Sequence, residues 1–222
     1  MWQALTEELS GEAFVVLAVA LDSRPDAARP WIEAASPTYP CLIDRDHRVA
    51  DLYQLVNVPQ AVWIDEAGRI VRPPEPAGAY EGFRSMDRAT RRIPPDAMEK
   101  TAAAKRTYVA SVRDWVRNGA RSAFAFDAAA ARARLPVTSE AIVRAHTAFR
   151  LGQHLIRNGR EAEGERLLAE ASRLHPDSWA IWRQSAAPNE QGLAAGADFW
   201  QRVDALGERR YYPPVDMAGM PD

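Results

Sequence analysis

The hydrophobic pattern changes character twice along the chain. Residues 13–21, AFVVLAVAL, are continuously apolar and rich in valine, and the run stops at Asp22-Ser23 with Pro25 close behind. A short apolar run without alternation reads as a strand buried on both faces, as in a parallel sheet covered by helices. A buried helix is the rival, disfavoured by the short length and the β-branched content. Asp22 or Ser23 can cap the next helix, and PDAARPWIEAASP reads as that helix, stopping before Pro37, with Pro30 a blemish in its interior. TYPCLID then gives a short strand and DHRVADLYQL a short helix. After Val58-Pro59, the run AVWID, the turn Glu66-Ala67-Gly68 and RIVR predict a β-hairpin, with Gly68 free to take positive φ.

From about Pro73 the pattern is lost. RPPEPAGAYEG reads as a proline- and glycine-rich connection and TRRIPPD as a second break. Between them Arg84, Arg88, Arg91 and Arg92, diluted by Glu81 and Asp87, read as a solvated face. Beyond Pro95 a helical period takes over, with Tyr108, Val112, Trp115 and Val116 at helical intervals. A further helix is expected to begin at Ser178-Trp179, with Trp182 on its inner face, before APNEQG interrupts it. The tail DFWQRVDALGERRYYPPVDM has an amphipathic turn or two around Phe199, Trp200, Val203 and Leu206. Its aromatic residues are either core contacts or interface anchors.

Charge narrows the partners. Lys+Arg (28) and Asp+Glu (30) almost cancel, so composition demands no basic face, and neither nucleic acid nor an anionic membrane is expected as a partner. The longest apolar run is too short to span a bilayer, and MWQALTEELSGE carries acids where a secretory signal would carry bases. The chain as written is therefore expected to be cytoplasmic. A single cysteine, Cys41, allows no intrachain disulfide and no cysteine-based zinc site. It sits in an apolar strand and reads as buried and inert. His47 lies in the loop DRDHR beside Asp44 and Asp46, which read as turn and capping residues. His146 and His154 share a helix eight residues apart, and His175 precedes Pro176. None has metal-site spacing, and no phosphate-binding glycine loop or Gly-x-Ser-x-Gly is present, so neither cofactor nor metal is expected.

The order strand, helix, short strand, helix, Val-Pro, hairpin is specific when taken together. Carried by FVVLAVALD and TYPCLIDRDHRVADLYQLVNVPQAVWIDEAGRIV, residues 1–80 resemble the thioredoxin-like superfamily, in particular the TlpA/ResA-type thiol–disulfide oxidoreductases and the AhpC/TSA redoxins. The resemblance implies a cis peptide bond before Pro59, facing the redox cysteines, with Val58 offering backbone hydrogen bonds to an extended substrate peptide. Only an X-Pro bond makes the cis form accessible, at about 0.5–1 kcal/mol. Alternatively Pro59 simply begins an edge strand, where a missing N–H costs nothing.

The family's chemistry needs a thiolate at a helix N-terminus. Its Cys-x-x-Cys or lone Cys precedes the long helix of which MWQALTEEL looks like the tail, so the motif would lie upstream of Met1. No catalytic residue is therefore assigned within the chain. In that fold the motif-bearing strand is central, between the strands corresponding here to residues 13–21 and 61–65. Without it the domain is incomplete at its N-terminus and two strands lose a neighbour. Some relatives carry selenocysteine, whose codon is normally a stop, and a start set at a downstream Met would account for the absence.

A second resemblance lies in AFRLGQHLIRNGREAEGERLLAEASRLHP. Gly152, Gly159, Gly164, Leu168, Ala171 and Pro176 fall at the spacing of a tetratricopeptide (TPR) repeat, in which small residues let two antiparallel helices approach closely. A weaker copy, Tyr108, Trp115, Gly119, Ala131 and Pro136, has its glycine and proline each 40 residues ahead of Gly159 and Pro176. The expected organisation is α/β thioredoxin-like over 1–80, a linker over 81–96, an all-α TPR-like region over 97–206 and a tail over 207–222. Two functions are compatible with it. One is a redoxin relative with a thiol or disulfide substrate, redox-inactive as the chain stands. The other is a binding module that holds a protein or peptide on the TPR-like helices.

Overall fold

The computed structural model describes residues 1–24 and 26–221; Pro25, expected to close the first apolar run, lies outside them. The elements in order are α1 (Trp2–Glu8), β1 (Ala18–Ala20), α2 (Arg29–Ala35), β2 (Cys41–Ile43), α3 (Arg48–Leu52), β3 (Gln60–Ile64) and β4 (Ile70–Pro76), followed by α4 (Pro95–Asn118), α5 (Ala128–Ala133), α6 (Glu140–Arg157), α7 (Glu161–Leu174), α8 (Trp179–Ser185) and α9 (Ala197–Asp204). The fold is mixed α/β. The strands form two two-stranded sheets, a parallel β1–β2 pair and an antiparallel β3–β4 pair. The chain divides into two compact units made of separated stretches. The first is Met1–Phe14, Pro59–Leu135 and Arg202–Asp222; the second is Val15–Val58 and Pro136–Gln201. Residue 80, expected as a domain boundary, is not a point where the chain passes from one unit to the other.

In the first unit Trp63 of β3 is the centre of the core. Its indole N–H donates to the Tyr108 hydroxyl at 2.8 Å, and its ring stacks on Trp115 with centroids 5.0 Å apart. Leu5, Leu9, Val112 and Met217 complete the buried cluster. The Asp65–Gly68 turn forms as expected, with Gly68 at φ 75. The expected connection from Pro73 does not begin there. Residues 73–76 continue β4, with Pro76 opposite Gln60. Proline cannot donate in a ladder, but β4 is an edge, and the pairing slips on either side of Trp63, which accommodates the mismatch.

Nor is the 81–96 segment loose. Glu81 accepts hydrogen bonds from Arg84, Arg210 and the Tyr211 amide, and Arg84 also donates to the carbonyls of Gly207 and Arg209. Part of the expected solvated arginine face is thus consumed in holding the chain's last stretch. The weaker repeat is not a hairpin: α4 carries Tyr108 and Val112 into the core, and α5 lies against β4.

In the second unit, β1 is shorter than the apolar run predicts and is not buried on both faces. Only Ala18–Ala20 pair, with Cys41–Ile43 of β2, while Val15 and Leu17 are 71% and 57% exposed. Double burial needs a neighbour on each side and a layer above and below, and β1 has only β2. The α2 helix starts later than expected, which places Pro30 in the first turn, where a missing N–H is harmless. Neither Asp22 nor Ser23 caps it; Asp22 instead accepts from the Arg24 amide at 3.0 Å. Asp44 does act as a cap, its carboxylate accepting from the amides of Arg48, Val49 and Ala50 at 2.7–3.2 Å.

The α6–α7 hairpin is the best-formed piece of this unit. Ser139 caps α6 by accepting from the Ile142 amide. Ala145, Phe149, Leu168, Ala171 and Ile181 form its buried cluster. Ser178 caps α8, whose buried residues are Trp179, Ala180 and Ile181; Trp182, expected on the inner face, is only half-buried.

Candidate functional site

The residues expected to matter fall into three places. The first is the Val58-Pro59 step. Asn57 is buried, and its Oδ1 accepts from the Val58 amide and from Arg183 Nη1, both at 2.9 Å. The adjacent Val56 carbonyl accepts from the Ala180 amide at 2.9 Å. The Val58 side chain is exposed, and its N–H, which the family resemblance would aim at a substrate, is turned onto the neighbouring side chain. Pro59 is exposed at the head of β3, and its carbonyl accepts from the Ala77 amide at 3.2 Å. Cys41 opens β2 and is half-buried, its Sγ 3.7 Å from the Tyr39 carbonyl.

The second place is the helical hairpin. Gly152 and Gly164 are buried where α6 and α7 cross. A Cβ built on Gly164 would stand 2.6 Å from the Gly152 carbonyl oxygen and 2.5 Å from Ile156 Cγ1, closer than real Cβ atoms come. Gly159 takes φ 77 in the turn between the helices, Leu168 and Ala171 are buried, and Pro176 follows α7 on the surface. The six positions singled out by spacing are therefore brought together on one hairpin.

The third place is one that sequence reasoning passed over. His47, in the loop DRDHR, is 1% exposed, and His146 and His175 are buried near it. The His47 ring lies against Phe149 with centroids 4.7 Å apart, and neither of its nitrogens has a hydrogen-bond partner. Burial, opposed only in part by Asp44, Asp22 and Asp46, pushes its pKa down to about 4. His146 and His175 are also lowered, chiefly by burial. His47 precedes α3 with a left-handed backbone, φ 51. A histidine offers no pattern from which to read that.

In the first unit a buried ion pair has no counterpart in the expected site. Arg72, 1% exposed, bonds Glu75 through Nε and Nη2 at 2.7 and 2.8 Å and donates to the Phe124 and Asp216 carbonyls at 2.7 and 2.8 Å. Its guanidinium lies over Phe126 and Trp63 at 4.4 and 5.3 Å. Burial raises the Glu75 pKa in spite of Arg72. Every donor of this arginine that the structure places is directed at the protein's own groups, which makes it a packing element.

Among the described residues no group of three or more His, Cys, Asp and Glu is arranged to hold a metal ion, and no helix is long and apolar enough to cross a membrane. A cavity of about 230 Å³ in the second unit is lined by Trp182, Pro188, Asn189, Asp198 and Phe199 among others. Compared with known proteins, the chain matches no family model, no curated protein and no solved structure.

Proposed function

We propose that residues 1–222 form the frame of a thioredoxin-like protein of the TlpA/ResA and AhpC/TSA kind, redox-inactive by itself because the attacking cysteine or selenocysteine is supplied from outside these residues. One observation carries the reading: a parallel β1–α2–β2 pair is followed by the proline-led antiparallel hairpin β3–β4, and the two pairs stay separate two-stranded sheets. That is the strand inventory the resemblance implies once its central strand and an outer one are left out. The only thiol, Cys41, opens a strand, away from the helix N-terminus that thiolate chemistry uses. A cytoplasmic setting, with a thiol or disulfide substrate, fits the same reading.

The close approach of Gly152 and Gly164 favours a second reading, a TPR-type module that binds a protein or peptide and uses the redoxin-like part as scaffold. Insulin-disulfide reduction and peroxide consumption, assayed on the 222-residue protein and on the product of its in-frame upstream extension, separate the two. The expected result is no turnover by the shorter protein, with or without Cys41→Ser, and turnover by the longer one that disappears when its upstream Cys or Sec is replaced. Turnover by residues 1–222 that Cys41→Ser abolishes overturns the proposal. An upstream frame without a Cys or Sec motif leaves the binding module as the function.

A further inference from the structure

All four histidines belong to the second unit, and the first has none. The three buried ones sit where the Val15–Val58 stretch meets the helices of Pro136–Gln201. His47 precedes α3 and packs on Phe149 of α6. His146 of α6 has Nδ1 3.8 Å from Asp51 of α3, and its ring lies 6.0 Å from that of His175 at the end of α7. Two ion pairs cross the same junction, Arg150 with Asp51 and Arg157 with Asp46, the latter at 2.8 Å. Uncharged ties cross it as well: the Ala180 amide to the Val56 carbonyl, the Ser23 amide to Gln184 Oε1 at 3.0 Å, and Gln184 Nε2 to the Leu21 carbonyl at 3.4 Å.

The charged and titratable groups facing each histidine give the direction of the effect. His47 faces Asp44, Asp22, Asp46 and His146; His146 faces Asp51, Arg150 and His175; His175 faces His146 and Asp177. Neither His47 nitrogen has a hydrogen-bond partner, and the nearby Asp44 carboxylate is directed at the first amides of α3 instead. A proton on His47 would therefore be buried without an acceptor, and protons on both His146 and His175 would repel across neighbouring rings.

We propose that this junction is an acid-sensitive latch. On mild acidification the buried histidines take up protons and α6, α7 and α8 loosen from the Val15–Val58 stretch, while the first unit keeps its core. The sign comes from linkage. A histidine held below its ordinary value of 6.5 binds fewer protons folded than unfolded. The stability it contributes is complete above about pH 6.5 and is lost as the pH falls through the window towards its folded value. This latch goes beyond the redoxin reading and does not depend on it.

Hydrogen exchange read by mass spectrometry on the whole 222-residue protein, corrected for intrinsic rates, tests it. Between about pH 7 and about pH 5, protection of α3, α6 and α8 amides should fall about tenfold or more, whereas α4 amides around Tyr108 and Val112 should change by less than about twofold. In the His146→Gln/His175→Asn variant the fall should move to lower pH by about half a unit or more. Parallel loss of protection in both units, or an unchanged midpoint in the variant, overturns the latch. Should the variant not fold at neutral pH, proton NMR titration of the wild-type histidine rings decides instead. Midpoints for His47, His146 and His175 below that of the exposed His154 support it, and four coincident midpoints overturn it.

Discussion

At the scale of single residues, the glycines of the α6–α7 hairpin and Arg72 carry costs that can be stated in advance. Gly164 is glycine because there is no volume for anything else: its neighbours at the crossing are the Gly152 carbonyl and the Ile156 side chain, and the carbonyl cannot step aside. Gly164→Ala should cost about 1–3 kcal/mol by overpacking. Gly159→Ala, with no atom within 4 Å of the new methyl but φ at +77, should cost about 1 kcal/mol from backbone strain alone. Thermal melts of the two variants distinguish crowding from strain by that order. Arg72 is the other position. Arg72→Met leaves the buried Glu75 carboxylate without its guanidinium and should cost about 3–5 kcal/mol in urea denaturation. Adding Glu75→Leu removes the stranded group, so the double variant should recover a large part of the loss, a non-additivity that a contact-by-contact sum would not give.

Elements show where the sequence was readable and where it was not. The β3–β4 hairpin, α3 and the α6–α7 hairpin were legible because each is fixed by local signals: a glycine in a turn, a capping aspartate, small residues at helical spacing. The run at 13–21 was legible as a strand but not as an exposed one, since an apolar pattern presupposes the neighbours that would bury it. The prolines at 73, 74 and 76 hid the second half of β4 because they argue against a strand unless its outer edge is free. The burial of His47 was illegible for another reason: it is made by Phe149, which lies in a different element far along the chain. An uncovered strand has a consequence of its own. With Val15, Leu17 and Leu42 facing solvent around an unpaired edge of β1, the protein offers a template for other chains. Leu17→Lys should lower concentration-dependent light scattering with little change in melting temperature. Equal scattering from variant and parent would place the sticky surface elsewhere.

For the molecule as a whole, what escaped sequence reasoning most completely was the way the two units share the chain. Periodicity and breaks describe consecutive stretches, and from them the expected plan was a domain, a linker, a second domain and a tail. The units instead alternate along the chain, so the N-terminal Trp2 packs edge-on against Tyr108 of α4, and Met217 lies in the same core. That arrangement sets an order of events during synthesis. The second unit needs α6–α8 before β1–α2–β2–α3 has anything to fold against, and the core of the first cannot close until Met217 has left the ribosome. The second unit has all its residues only at Gln201, and the first is completed only after that. Through most of its translation the nascent chain must therefore carry its tryptophans and its strand edges unprotected, which makes its vulnerability to aggregation and proteolysis a matter of translation speed as much as of final stability.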